Sequence, residues 1–412
     1  MWRRRPRLLS LNFAQNNTLP VNATSTPKKS LLFEVSIIRP LVIFLLVIYH
    51  SLCIFTGGWE LPQGVAPNDV YWWLGHLISG FRIETIAFVG GYVFAYQCVA
   101  LKKRIPFHKF AWKKFKRLMI PCWIFGVAFF FLFRYHPGMK WNVCMWRILN
   151  GVEHLWFLPM LFWCFLLTWG LDRLLRLPAP QEEEKPWQRV LLWVLLAVTA
   201  IGPMIAMPGL KLGLTRVPHF IFYFFFGYVV WYLFCGRGEQ PTTRHEQEAK
   251  ELRFREWSGV CLIAYVLLLL LHTRICNPKM LGMNAMVVSS WVKPMLNTLT
   301  RVVSWAECLA GIMALYLFVK QLLSRKEREH ADTGYRPKEW IIWSSKVCYG
   351  TYVFHMFFMK WIVYKTSFCT WMGGSAIGWW SLPWVMSLMT FAFSIGLTVL
   401  FLKSKVGRWL IG

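Results

Sequence analysis

The sequence predicts an all-α fold, a polytopic integral membrane helical bundle of about ten transmembrane helices with both termini cytoplasmic. Composition is the first reason. Of 412 residues, 56% are hydrophobic and 17% aromatic, 25 are tryptophan, and the mean hydropathy is +0.42, values foreign to water-soluble domains. Second, apolar runs of about 20 residues, long enough to cross a bilayer, recur near 35–56, 75–99, 118–135, 151–172, 188–207, 217–235, 257–275, 300–322, 340–365 and 380–402. Third, most of the 46 Lys and Arg fall at the termini and in alternate loops, 100–117, 173–187, 236–256 and 320–339. The positive-inside rule places those loops and both ends in the cytoplasm.

The same rule accounts for the net charge of +27. The basic residues lie mainly in short loops between apolar spans and no aromatic-basic module accompanies them, so nucleic acid is not a predicted partner. Most of the 11 cysteines sit inside apolar spans (Cys53, Cys98, Cys122, Cys164, Cys261, Cys308) with no Cys-x-x-Cys pair, and neither a disulfide framework nor a metal site follows. Residues 1–34 read as a polar cytoplasmic tail rather than a signal peptide, since Met1-Trp-Arg-Arg-Arg-Pro-Arg7 leads into a polar stretch with Pro20 and Pro27. On such a tail the glycosylation patterns at Asn16 and Asn22 carry no meaning. Residues 35–402 form the membrane domain, and 403–412 a short basic cytoplasmic tail.

The first span is an apolar segment opened by Arg39 and closed by His50. Eleven positions make about three helical turns, so the two share a face roughly 16 Å apart along the axis. Pro40 fits a first turn, which opens the helix near Arg39. Arg39 at that depth either snorkels to lipid phosphates or serves a ligand. His50, deep in the span, is either a satisfied core histidine or a catalytic one.

The second span contains Arg82 and Glu84, then Gly90-Gly91. The charges can pair with each other or with neighbouring helices. The glycines let another backbone, or a slender ligand, come close. Before the third span, 102–117 is the densest basic run, with Lys113, Lys114, Lys116 and Arg117 at its end; it reads either as an anchor on anionic lipids or as a phosphate site. The fourth span opens Gly151-Val-Glu153-His154-Leu-Trp156, where Glu153 can accept a proton or hold a ligand hydroxyl, and Trp156 offers a flat apolar face to a sugar ring. An interfacial aromatic belt with a capping carboxylate is the structural alternative. Loop 236–256 mixes both signs, as a solvated helical extension does. In the ninth span Lys346 and His355 fall on opposite sides of the helix. His219 and Glu307 are further intramembrane polar residues with no assigned role.

Taken in order, these segments resemble the membrane-bound acyltransferase family 3, whose members O-acylate sugars of cell-surface and secreted polysaccharides. Arg39-x10-His50 is similar to its first-helix signature, Phe81–Phe94 to its second-helix segment, Arg117-Leu-Met-Ile-Pro121 to the opening of its third helix, His154-Leu-Trp-Phe-Leu-Pro159 to its His-x-Trp-Phe-Leu segment, and Tyr349-Gly-Thr-Tyr-Val-Phe-His355 to its Tyr-Gly-x-Tyr-x-x-His segment. Gly90 stands where the family usually has serine, and Glu84 where it often has an apolar residue or proline.

The resemblance implies an acyl-CoA co-substrate, acetyl-CoA or succinyl-CoA, entering from the cytoplasm, and a glycan or lipid-linked sugar acceptor on the far side of a multi-pass cell membrane, the bacterial inner membrane. Under it, Arg39, Lys113, Lys114, Lys116 and Arg117 hold the nucleotide phosphates. His50 takes the acceptor proton or relays the acyl group, and Glu153 orients acceptor or imidazole, with His154, Trp156 and His355 lining the substrate site beside Arg82 and Glu84. A carboxylated acyl group asks for a further cation near His50, for which Arg82 is the candidate. A polytopic transporter or lipid-linked-sugar flippase is the competing reading, in which the same charges line a path, and a non-enzymatic scaffold or sensor is a third.

Overall fold

In a computed structural model, residues 32–180, 182–205, 209–236, 243–276, 292–330 and 337–411 are described, and among them every regular element is helical. Residues 1–31 of the predicted tail 1–34, with Asn16 and Asn22, lie outside the described residues, and Phe33 and Glu34 already belong to the first helix. Nine described segments are long and apolar enough to cross a membrane.

The first helix, α1, runs Phe33–Leu52, two turns earlier than the Arg39 start expected from Pro40, which therefore lies inside it. Burial explains the earlier start: Val35 and Ile38 enter the core, and Glu34 is held by the Tyr92 hydroxyl and by Lys320 at 3.7 Å. The single span expected near 75–99 is divided at Gly80–Phe81 into α2 (Asp69–Ser79) and α3 (Arg82–Ala95), the latter continued by a wider turn over Tyr96–Ala100. Arg82 Nη1 donates to the Ser79 carbonyl at 2.9 Å across the break.

Helix α4 spans Phe107–Phe133, so most of the basic run expected in loop 100–117 is helical. After Pro106 no breaker precedes Leu118, and the cations lie on aromatic rings of the bundle, Lys114 Nζ 3.3 Å from the Phe165 centroid and Lys116 Nζ 5.6 Å from that of Trp112. A short α5 (Trp141–Leu149) precedes α6 (Phe157–Leu175), followed by α7 (Pro186–Ala200) and α8 (Val217–Val230). The long α9 (Arg244–Cys276) and α10 (Val292–Glu329) pack as a pair. Their charged ends are tied by Arg328, 3.0 Å from Glu248 and 2.9 Å from Glu251, which makes 244–256 the helical extension its mixed charge predicts.

Then come α11 (Glu339–Lys365), α12 (Phe368–Gly373), α13 (Ala376–Lys403) and α14 (Lys405–Ile411). Helix α11 has the length of a span but is not among the nine that qualify by composition. It packs against α1, α4 and α13 and buries His355 and Lys360, so protein rather than lipid surrounds its polar positions.

Side-chain pairs fix the directions. Ser51 meets Ser387 at 2.8 Å, Thr390 reaches Met359 at 3.7 Å, and Thr398 lies against Gly350, so α13 runs antiparallel to α1 and α11. The start of α1 and the end of α13 therefore share one end of the bundle.

The Gly90-Gly91 step serves packing. A Cβ on Gly91 would meet the Phe224 carbonyl of α8 at 1.7 Å, and one on Gly227 of α8 would meet the Phe88 carbonyl of α3 at 2.0 Å. Two helices in reciprocal backbone contact is the small-residue packing typical of membrane bundles.

Candidate active site

Three histidines from three distant segments meet near one end of the bundle. His50 comes from the last turn of α1, His355 from the middle of α11, and His154 from the single tight turn, Glu153–Trp156, that leads into α6. The His355 ring centroid is 5.2 Å from that of His50 and 5.0 Å from that of His154.

Local chain geometry sets His154 in place. Gly151 has φ +85° and Glu153 φ +48°, two left-handed residues that turn the chain sharply from α5 into α6. A side chain on Gly151 would also strike the Trp156 backbone at 2.6 Å. The Tyr352 hydroxyl then donates to the His154 carbonyl, and His154 Nε2 donates to the Val353 carbonyl at 3.0 Å, binding the turn to α11.

The hydrogen bonds also fix tautomers. A carbonyl only accepts, so His154 Nε2 and His355 Nδ1, the latter 2.7 Å from the Tyr352 carbonyl, carry the protons. In the neutral rings, His154 Nδ1 and His355 Nε2 are left as bare acceptors, buried and without a protein partner. His50 Nδ1 lies 3.7 Å from Cys53 Sγ, and its ring is stacked on Trp59 at 5.8 Å and 10°.

His50 and His154 face a cavity of about 610 Å³, while His355 sits behind them. Trp59, Glu153, Trp156 and Arg216 complete its functional lining. The Arg216 guanidinium lies 3.7 Å over the Trp156 ring, and Glu153 is ion-paired to Arg134. On α1 the cavity reaches only to Leu46; below it Val42 and Ile43 close the same face.

Arg39 lies at the other end, beside Arg117 and Cys348, and Lys114 feels the charges of Arg117, Lys113 and Arg39. With Arg39 beside Cys348 and His50 beside His355, α1 and α11 run parallel and face each other with both residues. None of the four cations has an ion-pair partner among the described residues. Lys116 likewise has no ion-pair partner there, and like Lys114 it lies over an aromatic ring.

Residues 33–403 match the family model for the acyltransferase domain of acyltransferase family 3. The chain belongs to this family. No curated protein and no solved structure matches it. Membership makes the chain a membrane acyltransferase, and the transporter, flippase and scaffold readings give way to an enzyme.

Of the residues singled out in its sequence, the acyltransferase brings His50, Glu153, His154 and Trp156 to one cavity, with His355 in contact behind. Arg39, Lys113, Lys114 and Arg117 gather separately. Arg82 and Glu84 line neither and form no ion pair with each other, although the charge of Arg82 reaches His50. Arg82 lies 3.4 Å over the Tyr49 ring, and Glu84 bonds His219 of α8 at 3.3 Å. Glu307 receives a partner in His272 at 2.6 Å. Lys346 is exposed where His355 is buried, as their spacing requires.

Sequence reasoning missed Trp59, Arg134, Arg216 and Lys360. Lys360 had a signal, since a lysine inside an apolar span is a functional candidate by default. Trp59 had none, because it follows the end of α1 in a loop and only the tertiary fold lays it against His50.

Proposed function

We propose that the enzyme moves an acyl group, acetyl or succinyl, from cytoplasmic acyl-CoA to a hydroxyl of a cell-surface or secreted polysaccharide or of a lipid-linked sugar, across a bacterial inner membrane. The observation that carries this reading is the cavity that brings His50, with its Nε2 free of backbone bonds, together with His154, Trp59 and Trp156. Such a site suits a sugar ring stacked on indole with a hydroxyl presented to imidazole.

In the proposed reaction the acceptor oxygen attacks the thioester carbonyl carbon. The new C–O bond forms, the C–S bond breaks, and the hydroxyl proton passes to His50 Nε2 and from there to the departing thiolate. His355 packs against His50 and orients it. His154 lines the cavity beside His50, held in place by its bond to the Val353 carbonyl, and Glu153 and Arg134 frame the outer wall. Neutral imidazole is suited to this task because its ordinary pKa is near neutrality.

At the opposite end, Arg39, Lys113, Lys114 and Arg117 supply unpaired positive charge for the nucleotide phosphates. The roughly 16 Å between Arg39 and His50 is a distance of the order that the pantetheine arm covers. Threading it along α1 requires Val42 and Ile43 to move aside, because they close that face.

The test is transfer of label from radiolabelled acetyl-CoA and succinyl-CoA to a glycan by the purified protein, with His50→Ala and Arg39→Ala at matched stability. Transfer by wild type, lost in His50→Ala, is the expected result. Full transfer by His50→Ala, or no turnover of either thioester by wild type, would overturn the proposal.

A further inference from the structure

Lys360 is the most deeply buried lysine of α11, 4% exposed, and no carboxylate lies within ion-pair distance of it among the described residues. Its ammonium rests instead on two rings, 3.9 Å from the Trp59 centroid and 4.7 Å from that of Tyr364. Buried charges in proteins are ordinarily paired, because an unpaired one forfeits its hydration without compensation. Lys360 has no carboxylate in ion-pair contact, and Glu60, on the same cavity, acts on it only from a distance.

The space for a closer anion is present. Lys360, Arg134, Lys365, Trp59 and Tyr364 line a cavity of about 420 Å³ whose one acidic residue is Glu60, exposed on its wall. Trp59 lines this cavity and the one holding His50, so the two share an indole as their common wall. A third cavity, about 390 Å³, shares Arg134 with the second and Asn150, Gly151 and Glu153 with the first, and adds Arg147. The three surround the Arg134–Glu153 ion pair at one end of the bundle.

We infer that the Lys360 cavity is an acceptor subsite for an anionic sugar residue, its carboxylate or phosphate on Lys360, Lys365 and Arg134 and its ring against Trp59 and Tyr364, beside the residue whose hydroxyl is acylated at His50. This rests on the reading of the enzyme as a glycan acyltransferase and deepens it. Three cavities with shared walls suit an oligosaccharide running past the histidines better than a monosaccharide. The indole between Lys360 and the His50 cavity favours a neighbouring sugar over the carboxylate of the acyl group itself.

The test is binding, which does not depend on turnover. The full chain in nanodiscs of zwitterionic lipid is titrated calorimetrically with oligogalacturonate, with its neutral methyl ester, and with a phosphorylated neutral oligosaccharide of the same length. The expected result is that wild type prefers a charged probe over the ester, and that Lys360→Gln weakens the charged probe by about tenfold or more, as loss of one charge-assisted contact does, while shifting the ester by less than about twofold. The carboxylate and phosphate arms say which oxyanion is held. Lys365→Gln, an exposed position, gives the same discrimination should Lys360→Gln fail to fold.

Equal affinity of wild type for charged and neutral probes would overturn the inference. So would displacement of the sugar when phosphatidylglycerol replaces the zwitterionic lipid, which would assign the cavity to a lipid headgroup, or a Lys360→Gln effect confined to succinyl-CoA, which would assign it to the acyl group. A protein that binds oligogalacturonate but moves no acyl group refutes the proposed reaction and leaves the subsite standing. One that acylates glycans without regard to their charge does the reverse.

Discussion

The His355 imidazole lies 5.2 Å from that of His50, centroid to centroid, with its Nδ1 bonded to the Tyr352 carbonyl and its Nε2 unpartnered. A fully buried ring with one nitrogen anchored in its own helix has a fixed orientation, and it presses on the residue proposed to take the proton. His355→Asn, which keeps a polar side chain but loses the ring contact, is expected to lower kcat for acyl transfer by about 10- to 100-fold with a smaller change in KM for acyl-CoA. Steady-state kinetics on stability-matched protein checks it, and an effect on KM alone would contradict an orienting role.

His50 and His154 differ in what they can do. His154 Nε2 is committed to the Val353 carbonyl, so His154→Ala also loosens the turn before α6. We expect His50→Ala to lower transfer by about 10²- to 10⁴-fold with little loss of thermal stability, and His154→Ala to lower both. Melting curves beside label transfer separate the two.

The unpaired cations at the other end of α1 predict a donor effect. Arg39→Gln and Arg117→Gln should each raise KM for acyl-CoA by about tenfold, leave kcat within about twofold, and reduce the salt sensitivity of KM. Titration with acetyl-CoA at two ionic strengths decides it; a loss of kcat with unchanged KM would place these residues elsewhere in the mechanism.

Stability should depend on the contact between α3 and α8. Gly91→Val places atoms inside the Phe224 carbonyl, and the helices must separate. Overpacking of this kind costs about 1–3 kcal/mol or more. A lower melting temperature for Gly91→Val and for Gly227→Val is expected, with Gly259→Val unchanged because open space surrounds that glycine.

Glu34 and Lys320 form a largely buried pair at 3.7 Å, supported by the Tyr92 hydroxyl. Removing one charge strands the other, so Lys320→Met should destabilise by about 3 kcal/mol and the Glu34→Gln, Lys320→Met double variant by less. Thermal or denaturant unfolding of the four proteins in the cycle measures it.

Much was legible in the sequence because a bilayer acts on each segment separately. Run length and basic alternation located every observed long helix, and the order of five short motifs indicated the family that residues 33–403 match. Boundaries were less legible. The basic run at 102–117 looks like a loop by charge, yet from Phe107 on it is the start of α4, where Lys114 lies over Phe165 of α6. Pro40 looks like a helix start, yet burial of Val35 and Ile38 carries α1 two turns further back.

The sequence by itself determined the membrane class, the spans and the candidacy of His50, His154 and His355, since each is a property of a local stretch. Tertiary structure alone decided that the three rings touch, that Trp59 divides two cavities, that Glu84 answers to His219 rather than Arg82, and that Lys360 is buried with no carboxylate in ion-pair contact. The physical reason is that lipid offers helices no hydrophobic drive toward one another. Which faces meet is set by close contacts such as Gly91 on Phe224 and Thr398 on Gly350, made between segments whose pairing no local pattern records.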